Sequence, residues 1–213
     1  MKTMIAIPCM DTVPVGFVQS LLYMSKGQDT SVCFRANSLI YDARNLLSLT
    51  AIEQGFDRVL WLDSDMVFDG YIMDRMHRDL DNNPGYSMVT GVYVKRRTPI
   101  VPVLYDEIEE PERDSTGRII PHIHNVESIP DDDSVFPVAG CGFGCVMTTT
   151  ELLKKVWDNF GPAFAPYPWA GEDISFCYRV NQLGENILCD SGIRCGHIGQ
   201  YVYTDKLLKG GTP

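Results

Sequence analysis

The sequence has no apolar stretch that approaches the length of a membrane span, no secretory hydrophobic segment near residue 1, no visible internal repeat and no obvious linker. It also has no excess of basic residues. It has 18 Lys and Arg against 28 Asp and Glu, which gives a formal net charge of −10. This charge disfavours a surface that binds the phosphate backbone of a nucleic acid. Lys95-Arg96-Arg97 is its dense basic group. We therefore expect one soluble, cytoplasmic domain of 213 residues whose favoured partner is not nucleic acid.

The seven cysteines do not suggest a disulfide framework, because their number is odd and they are scattered through apparent strands and helices. Free, mostly buried thiols in a reducing compartment explain them best. Cys141, Cys145, Cys189 and Cys195 could instead form a zinc site. Their spacings differ from the tight pairs of zinc modules, so the free-thiol interpretation is preferred.

What is present is a regular alternation of strand and helix patterns. Predicted strands cover 4–8, 31–34, 58–62, 87–94, 145–148 and 187–189, and predicted helices cover about 12–27, 39–54, 71–80, 151–159 and 172–183. In the helix over 39–54, Ile40, Ala43, Leu47 and Ala51 recur at the spacing of a core face. The alternation predicts an α/β fold with a mainly parallel, doubly wound central sheet flanked by helices.

An acidic pair follows the third predicted strand. The apolar run Val59–Leu62 ends at Asp63, and Asp65 follows after one further residue. Open α/β sheets bind ligands just beyond the carboxyl ends of their strands, where these carboxylates are expected. Such oxygen ligands suit Mg²⁺ or Mn²⁺, which hold phosphates through one or two protein carboxylates. The motif alone does not decide between a metal site and a polar turn after a strand.

A second acidic pair, Glu172 and Asp173, opens a predicted helix directly after Gly171. Carboxylates in a first turn complement the helix dipole and bind free N–H groups, and for this pair taken alone capping is the preferred interpretation. The alternative is catalytic, since a rigid carboxylate can accept a proton from a substrate hydroxyl. Trp169, just upstream, could then offer an apolar platform to the face of a sugar.

Two glycine-rich segments could complete a site. Gly196–Gly199 places His197, a suitable Mn²⁺ ligand, between small residues that let a ligand approach. The other histidines are interpreted as structural: His77, His122 and His124. Gly140–Cys145 has glycines at alternate positions, which leaves room for a substrate against the backbone. It matches neither a P-loop nor a dinucleotide fingerprint.

Taken in order, these segments resemble the nucleotide-sugar-dependent glycosyltransferases of the GT-A fold, especially the family-2-like group. The matching pieces are Ile5–Pro8 as the opening strand, Arg44-Asn45 in the second helix, Leu62–Asp65 as the D-x-D motif, Gly140–Cys145, Gly171–Asp173 as the acceptor-side acidic motif, and His197. The resemblance covers nearly the whole chain. We expect a single GT-A domain over 1–213, with 1–94 as its nucleotide-binding half and 138–213 as its acceptor-side half.

The resemblance implies a donor site. Asp65 and His197 would ligate a Mn²⁺ or Mg²⁺ that bridges the diphosphate of a nucleotide-sugar, with a UDP-sugar favoured. Asp63 would reach the ribose or the waters of the metal. Pro8 and Asp11, in the loop after the first strand, would face the nucleoside.

The resemblance also implies an acceptor side. Arg44 would lie near the donor, and Gly142 would line the donor sugar and the acceptor. Asp173 would be the general base of an inverting transfer to an acceptor hydroxyl, with Glu172 binding another hydroxyl. The segment 95–137, rich in prolines and charges, is expected to be a long loop or short hairpins that cover the site like a lid.

Other functions stay open at this point. A non-catalytic module could bind a nucleotide-sugar or a glycan without turnover. A sugar-phosphate nucleotidyltransferase should carry a Gly-rich, basic loop after the first strand, but Cys9–Pro14 contains neither Gly nor Lys. The acceptor could be a glycan, a small molecule, a protein or a modified nucleic acid met by Lys95–Arg97.

Overall fold

The apolar runs of the sequence form a central sheet in the structure, which is a computed structural model that describes residues 1–199 and 201–210. The predicted acceptor-side half therefore includes Gln200 and residues 211–213, which lie outside the described residues. The helices are α1 (Val15–Tyr23), α2 (Ile40–Glu53), α3 (Ile72–Asn82), α4 (Thr150–Phe160) and α5 (Glu172–Gln182), and a 3₁₀ turn covers Asp205–Lys209. None of the described helices is long and apolar enough to cross a membrane.

Within the described residues, the strands form one large sheet and two small ones. They are β1 (Thr3–Cys9), β2 (Thr30–Ala36), β3 (Arg58–Leu62), β4 (Met66–Val67), β5 (Tyr86–Val92), β6 (Leu104–Arg113), β7 (Ile119–Asn125), β8 (Val135–Val138), β9 (Gly140–Cys141), β10 (Cys145–Thr149), β11 (Asn186–Arg194), β12 (Gly196–Ile198) and β13 (Val202–Tyr203). The large sheet has the order β2-β1-β3-β10-β5-β11-β8.

Five of the seven strands of the large sheet run in the same direction. β1 is parallel to β2 and β3, and β5 is parallel to β11. Because β10 is antiparallel to both β3 and β5, those two strands share one direction, and β10 and the edge strand β8 run against the rest. The predicted α/β fold with a mainly parallel central sheet is confirmed.

The centre of the core is a cluster of aromatic rings beside β3. Trp61 is fully buried and donates a hydrogen bond from its indole nitrogen to Thr148 Oγ1 at 3.0 Å. Phe143 and Phe164 pack edge-on against Trp61, with centroids 6.0 and 5.2 Å away. Phe176 from α5 stacks on Phe164 at 4.6 Å. This cluster packs β3, the loop before β10 and α5 against one another near the carboxyl end of β3.

The helix α2 agrees with its predicted bounds and with most of its predicted core face. Ala43, Leu47 and Ala51 are buried, as the spacing predicts. The prediction was wrong for Ile40, whose side chain is 39% exposed. Ile40 is the first residue of the helix and lines a cleft rather than the core.

The segment 95–137 contains a long antiparallel hairpin. β6 and β7 pair with each other, and β6 also pairs with β9, which gives a small sheet of order β7-β6-β9. Pro111 and Pro121 lie within these strands, and the pairing register shifts twice along the hairpin. Prolines and bulges interrupt the alternation that marks a strand, so the sequence pattern looked irregular.

Candidate functional site

A cleft of about 320 Å³ lies where β1 and β3 end. The residues that line it come from the end of β1 and the residue after it, the residues just before and at the start of α2, the acidic turn after β3, the segment after β5, and β12: Pro8, Cys9, Met10, Ser38, Ile40, Ala43, Asp63, Ser64, Asp65, Arg96 and His197. β1 and β3 are parallel neighbours, so the cleft lies at their shared carboxyl edge. Open α/β sheets bind ligands at this position.

A small sheet brings His197 next to Asp65. β12 pairs antiparallel with β4, which places His197 opposite Met66, and the Ile198 N–H donates to the Asp65 carbonyl at 2.7 Å. His197 Nε2 then lies 3.6 Å from Asp65 Oδ1. Residues separated by more than 130 positions are therefore neighbours because a short backbone ladder holds them.

The other ring nitrogen of His197 faces a backbone acceptor. Nδ1 lies 3.0 Å from the carbonyl oxygen of Val94, and the ring packs edge-on against Tyr93 at 5.5 Å. A proton on Nδ1 satisfies that carbonyl, so Nε2 is the ring nitrogen that faces Asp65 and the cleft. An imidazole oriented by a backbone carbonyl in this way is typical of metal-ligating histidines.

Arg96 places a positive charge next to Asp65 in the cleft. Its Nη1 lies 2.8 Å from Asp65 Oδ2 and donates to the Ile198 carbonyl at 2.9 Å. Burial alone would raise the pKa of Asp65, but the hydrogen bond and charge of His197, together with Arg96, lower it. Asp65 is therefore ionised at neutral pH and is available as an anionic ligand.

Arg44 connects the two acidic motifs below the cleft. Its Nη2 lies 2.6 Å from Asp63 Oδ1 and its Nη1 lies 2.5 Å from Glu172 Oε1. The side chain is 2% exposed, and its guanidinium lies 5.2 Å from the ring centroid of Phe143. Burial would lower the pKa of Arg44, but the carboxylates of Asp63 and Glu172 raise it, so the guanidinium stays charged. Arg44 holds Asp63 and Glu172 at a fixed separation.

Asp173 lies in the first turn of α5, and Gly171 is the N-cap residue of that helix. Asp173 Oδ1 accepts a hydrogen bond from the Ile174 N–H at 2.8 Å. The capping interpretation therefore applies to Asp173, whereas Glu172 of the same turn binds Arg44 instead. Both side chains are partly exposed, so neither is removed from solvent by its structural contact.

The remaining predicted site residues lie in different surroundings. Pro8 lines the cleft, and Asp11 is exposed three residues further along the chain, outside the lining. Gly142 is buried, and a Cβ at this position would lie 2.0 Å from Tyr93 Oη. The glycine is therefore required by the packing of Tyr93, whose hydroxyl accepts a hydrogen bond from the Gly144 N–H at 3.2 Å.

Among the described residues, no group of three or more His, Cys, Asp and Glu side chains forms a complete metal site, and all seven cysteines are free. Asp65 and His197 nevertheless suit Mn²⁺ or Mg²⁺ chemically. They offer a carboxylate oxygen and an imidazole nitrogen on one side of an open cleft, where ligand oxygens and waters can complete the coordination. Asp63 is directed to Arg44 by its ion pair.

Sequence reasoning did not identify Arg96, Ser38 or Ile40 as cleft residues. Arg96 was recognised from the sequence only as part of the basic group Lys95–Arg97. That group directly follows a predicted strand, and this position was the available signal that Arg96 could reach a ligand-binding edge of the sheet. Ser38 Oγ is buried with no hydrogen-bond partner in the described part of the chain, and it belongs to the lining of the cleft. A serine before a helix carries no sequence signal that separates ligand binding from capping.

No model of a known protein family matches the sequence, and no curated protein matches it. Solved structures do match its fold. A197 from STIV has a TM-score of 0.68 and 19% identity, over 93% of this chain and 86% of that chain. GalNAc-T7, solved with UDP, GalNAc and Mn²⁺, has a TM-score of 0.59 and 11% identity, over 93% of this chain and 43% of that chain. These similarities confirm the predicted GT-A glycosyltransferase-like fold.

Proposed function

We propose that the protein transfers a sugar from a nucleoside-diphosphate sugar to an acceptor hydroxyl and that it depends on Mn²⁺ or Mg²⁺. The observation that carries this proposal is the convergence of Asp65 and His197 in the cleft at the carboxyl ends of β1 and β3. A UDP-sugar is the favoured donor, because a protein with a similar fold was solved with UDP, GalNAc and Mn²⁺.

The cleft supplies groups suited to a nucleoside diphosphate. Asp65 and His197 would hold the cation, which when bound neutralises charge on the departing diphosphate. Arg96 adds a positive charge on the same side of the cleft. Ile40 and Met10 provide apolar surface, and Ser38 Oγ provides a hydrogen-bonding group that has no partner within the described residues.

The first turn of α5 carries the residues that we propose act on the acceptor. Asp173 would accept the proton of the acceptor hydroxyl as that oxygen attacks the anomeric carbon, which gives an inverting reaction. Arg44 holds Glu172 to Asp63, so donor-side and acceptor-side carboxylates keep one relative position. Such preorganisation keeps reacting groups aligned without reorganisation during the reaction.

Ligand-dependent thermal stabilisation tests the donor site. The wild type, Asp65→Ala and the control Asp74→Ala, an exposed acid on α3, are melted with UDP, GDP, CMP and dTDP and their sugar conjugates, with Mn²⁺ or with chelator. One nucleotide should stabilise the wild type and the control by about 3 kcal/mol at a hundredfold excess over its dissociation constant. We expect Asp65→Ala or chelator to abolish this effect. Stabilisation that is unchanged in Asp65→Ala and in the presence of chelator would overturn the proposed donor site.

Turnover separates the proposed enzyme from a non-catalytic binding module. With the nucleotide identified, release of free nucleotide from its sugar conjugate is measured for the wild type and for Asp173→Asn. The variant should keep the metal-dependent stabilisation and lose roughly 10²-fold or more in rate, because only the base is removed. Binding without any release from the wild type, with a broad set of acceptors present, would favour the module.

A further inference from the structure

Two histidines that the proposed donor site does not use lie on the β6–β7 hairpin. His122 and His124 belong to β7 and are separated by one residue. Successive side chains of a strand point to opposite faces, so these two share one face. Ile123, which lies between them, packs against the core, and its partner on β6, Ile108, is buried. The histidines therefore lie on the solvent face of the hairpin.

Two glutamates of β6 lie directly opposite the histidines. In the antiparallel register Glu109 pairs with His122, Glu107 pairs with His124, and no register shift separates the two pairs. Directly opposite residues share a face and have Cβ atoms about 4.5–5.5 Å apart, and residues two apart on one strand are separated by about 7 Å. The hairpin therefore presents two imidazoles and two carboxylates at the corners of one small rectangle.

The side chains of this rectangle leave one imidazole nitrogen without a hydrogen bond. His124 Nδ1 lies 2.7 Å from Glu107 Oε2, so this pair is closed. His122 Nε2 is buried and has no hydrogen-bond partner within the described residues, and Glu112 Oε2 lies 3.7 Å away, beyond hydrogen-bond distance. A buried polar atom without a partner requires an explanation, and a cation bound by the nitrogen lone pair provides one.

The chemistry of the four groups suits Zn²⁺. Zinc binds imidazole nitrogen at about 2.0–2.1 Å and carboxylate oxygen at about 2.0–2.2 Å, most often with four ligands. No three His, Cys, Asp or Glu side chains of the described residues are gathered around one point. In this rectangle, however, all four side chains are exposed or partly exposed. Exposed side chains change rotamer within nanoseconds, and the backbone register that sets their spacing does not have to move.

The outer part of the hairpin lacks the support that its base has. Near the base, β9 pairs with β6 at Leu104 and Tyr105, and beyond Tyr105 the described pairing of β6 is with β7. A two-stranded ladder is only marginally stable by itself. Pro121 has no N–H to donate to the ladder, and register shifts occur on both sides of the paired glutamates. A metal bound from both strands would hold them together at this point.

We propose that the hairpin binds one Zn²⁺ through its two histidines and the two glutamates opposite them, and that this metal fastens β6 to β7: Glu107, Glu109, His122 and His124. The site is separate from the donor cleft and does not rest on the proposed function. Ligands of this type bind Mn²⁺ more weakly than the other divalent metals of the first transition row. The hairpin should therefore not compete with the cleft for Mn²⁺.

Calorimetry with Zn²⁺ alone tests the site. His197→Ala, which removes a ligand of the cleft, is treated with chelator, dialysed and titrated, and His124→Gln, Glu109→Gln or Glu110→Gln is then added to it. Glu110 is the control, because it follows Glu109 on β6 but lines a pocket on the side of α5. We expect one Zn²⁺ per chain in His197→Ala. Adding His124→Gln or Glu109→Gln should weaken binding at least roughly tenfold, and adding Glu110→Gln should not.

Hydrogen exchange measured by mass spectrometry tests the structural role. Zn²⁺ should slow the exchange of amides within 106–125, because bridging the strands suppresses local opening, and the effect should be lost in His124→Gln. Unchanged exchange of β1 and β3 in the variant shows that the domain is folded. No Zn²⁺ binding in His197→Ala, or equal weakening by Glu109→Gln and Glu110→Gln, overturns the site. Binding that leaves exchange of the hairpin unchanged overturns its structural role. Neither measurement contains a nucleotide, so its outcome is independent of the proposed transferase activity.

Discussion

His197 has one ring nitrogen directed at a backbone carbonyl, and this determines what the other nitrogen can bind. Nδ1 faces Val94 O and Nε2 faces Asp65, so the side chain is already oriented as a metal ligand. We predict that His197→Ala weakens Mn²⁺ binding by roughly tenfold or more, measured by calorimetry in the presence of the nucleotide. His124→Gln, an exposed histidine on β7, is the control and should bind Mn²⁺ like the wild type. Equal affinity in all three proteins would remove His197 from the site.

Arg44 is a buried cation whose two partners are partly exposed carboxylates. Removing it leaves Asp63 and Glu172 close together without a countercharge, so we predict that Arg44→Met lowers the free energy of unfolding by about 3 kcal/mol. Urea denaturation measures the loss, and Arg78→Met, at an exposed position on α3, serves as the control. Adding Asp63→Asn and Glu172→Gln to Arg44→Met should recover part of the stability. A loss equal to that of the control would contradict the ion-pair argument.

At the residue scale, the sequence identifies which side chains have the chemistry to bind a ligand or a proton, but not which of them contact one another. Arg44 was expected near the donor, and it lies between two carboxylates that are 19 and 128 positions away in the chain. The burial of the Arg44 side chain, which is 2% exposed, follows from the packing of the fold and not from a local sequence pattern. His197 was expected to ligate a metal together with Asp65, and it lies 3.6 Å from that carboxylate through a β4–β12 pairing that no local sequence pattern contains.

The segment that leads into β10 is packed so tightly that its glycines are required. A Cβ on Gly142 would lie 2.0 Å from Tyr93 Oη and 2.7 Å from Val103 Cγ1. We predict that Gly142→Ala destabilises the protein by roughly 1–3 kcal/mol, measured by denaturant unfolding, because the added methyl overpacks the core. Gly85→Ala is the matched control, since a Cβ there meets nothing within 4 Å. Tyr93→Phe should recover part of the loss by removing the hydroxyl, and no recovery would assign the strain elsewhere.

The helix α3 contains an acid that shares a buried environment with β11. Asp190 is fully buried and paired with Arg75, and burial, followed by hydrogen bonding and charge from Asp190, raises the pKa of Asp79 to about 7. The folded state therefore holds a proton on Asp79 that the unfolded chain releases above its ordinary value near 4. Stability should fall as the pH rises from about 4 to 7 and then level off.

Replacing the acid by its uncharged analogue tests this pH dependence. In Asp79→Asn the decrease in unfolding free energy between pH 4 and pH 7 should become shallower than in the wild type, as measured by urea denaturation at each pH. Asp74→Asn, an exposed position on the same helix, should keep the wild-type slope. A wild-type slope in Asp79→Asn would show that other groups cause it.

At the element scale, prediction succeeded where one periodicity extends through a whole segment. The strand β3 and the helices α2 and α5 lie within one residue of their predicted bounds. β11 was predicted as three residues and has nine, because Asp190 and Ser191 look like a polar end although both are fully buried. A buried acid bound by Arg75 is a tertiary feature, and single-sequence patterns do not contain it.

At the scale of the whole molecule, the order of the motifs indicated the fold, because each motif follows a recognisable strand or begins a helix. The order did not reveal that Arg44 links the D-x-D turn to α5, nor that an aromatic pocket lies between the β6–β7 hairpin and α5. The first feature depends on how α2 and α5 pack beside β3, and the second on how the hairpin and the loop before α5 pack against that helix. Tertiary packing of this kind is set by many weak contacts spread over the chain.

The positions of the seven cysteines allow the whole molecule to be probed with one reagent. Cys9 and Cys33 are partly exposed, and the other five thiols are buried. Although burial raises the pKa of both Cys9 and Cys33, their access to solvent should let them react slowly with a chromogenic disulfide reagent at pH 8. We predict two reactive thiols in the native protein and seven after denaturation.

Binding of the donor should distinguish these two thiols, because Cys9 lines the cleft and Cys33 lies on the neighbouring strand outside it. The stabilising nucleotide with Mn²⁺ should therefore slow labelling of Cys9 and leave Cys33 unchanged, as measured by peptide mass spectrometry after timed labelling. Asp65→Ala should lose this protection while keeping the same two reactive thiols. Equal protection of both cysteines would indicate that the ligand reduces opening fluctuations throughout the protein rather than covering Cys9. No protection of Cys9 would place the nucleotide outside the cleft.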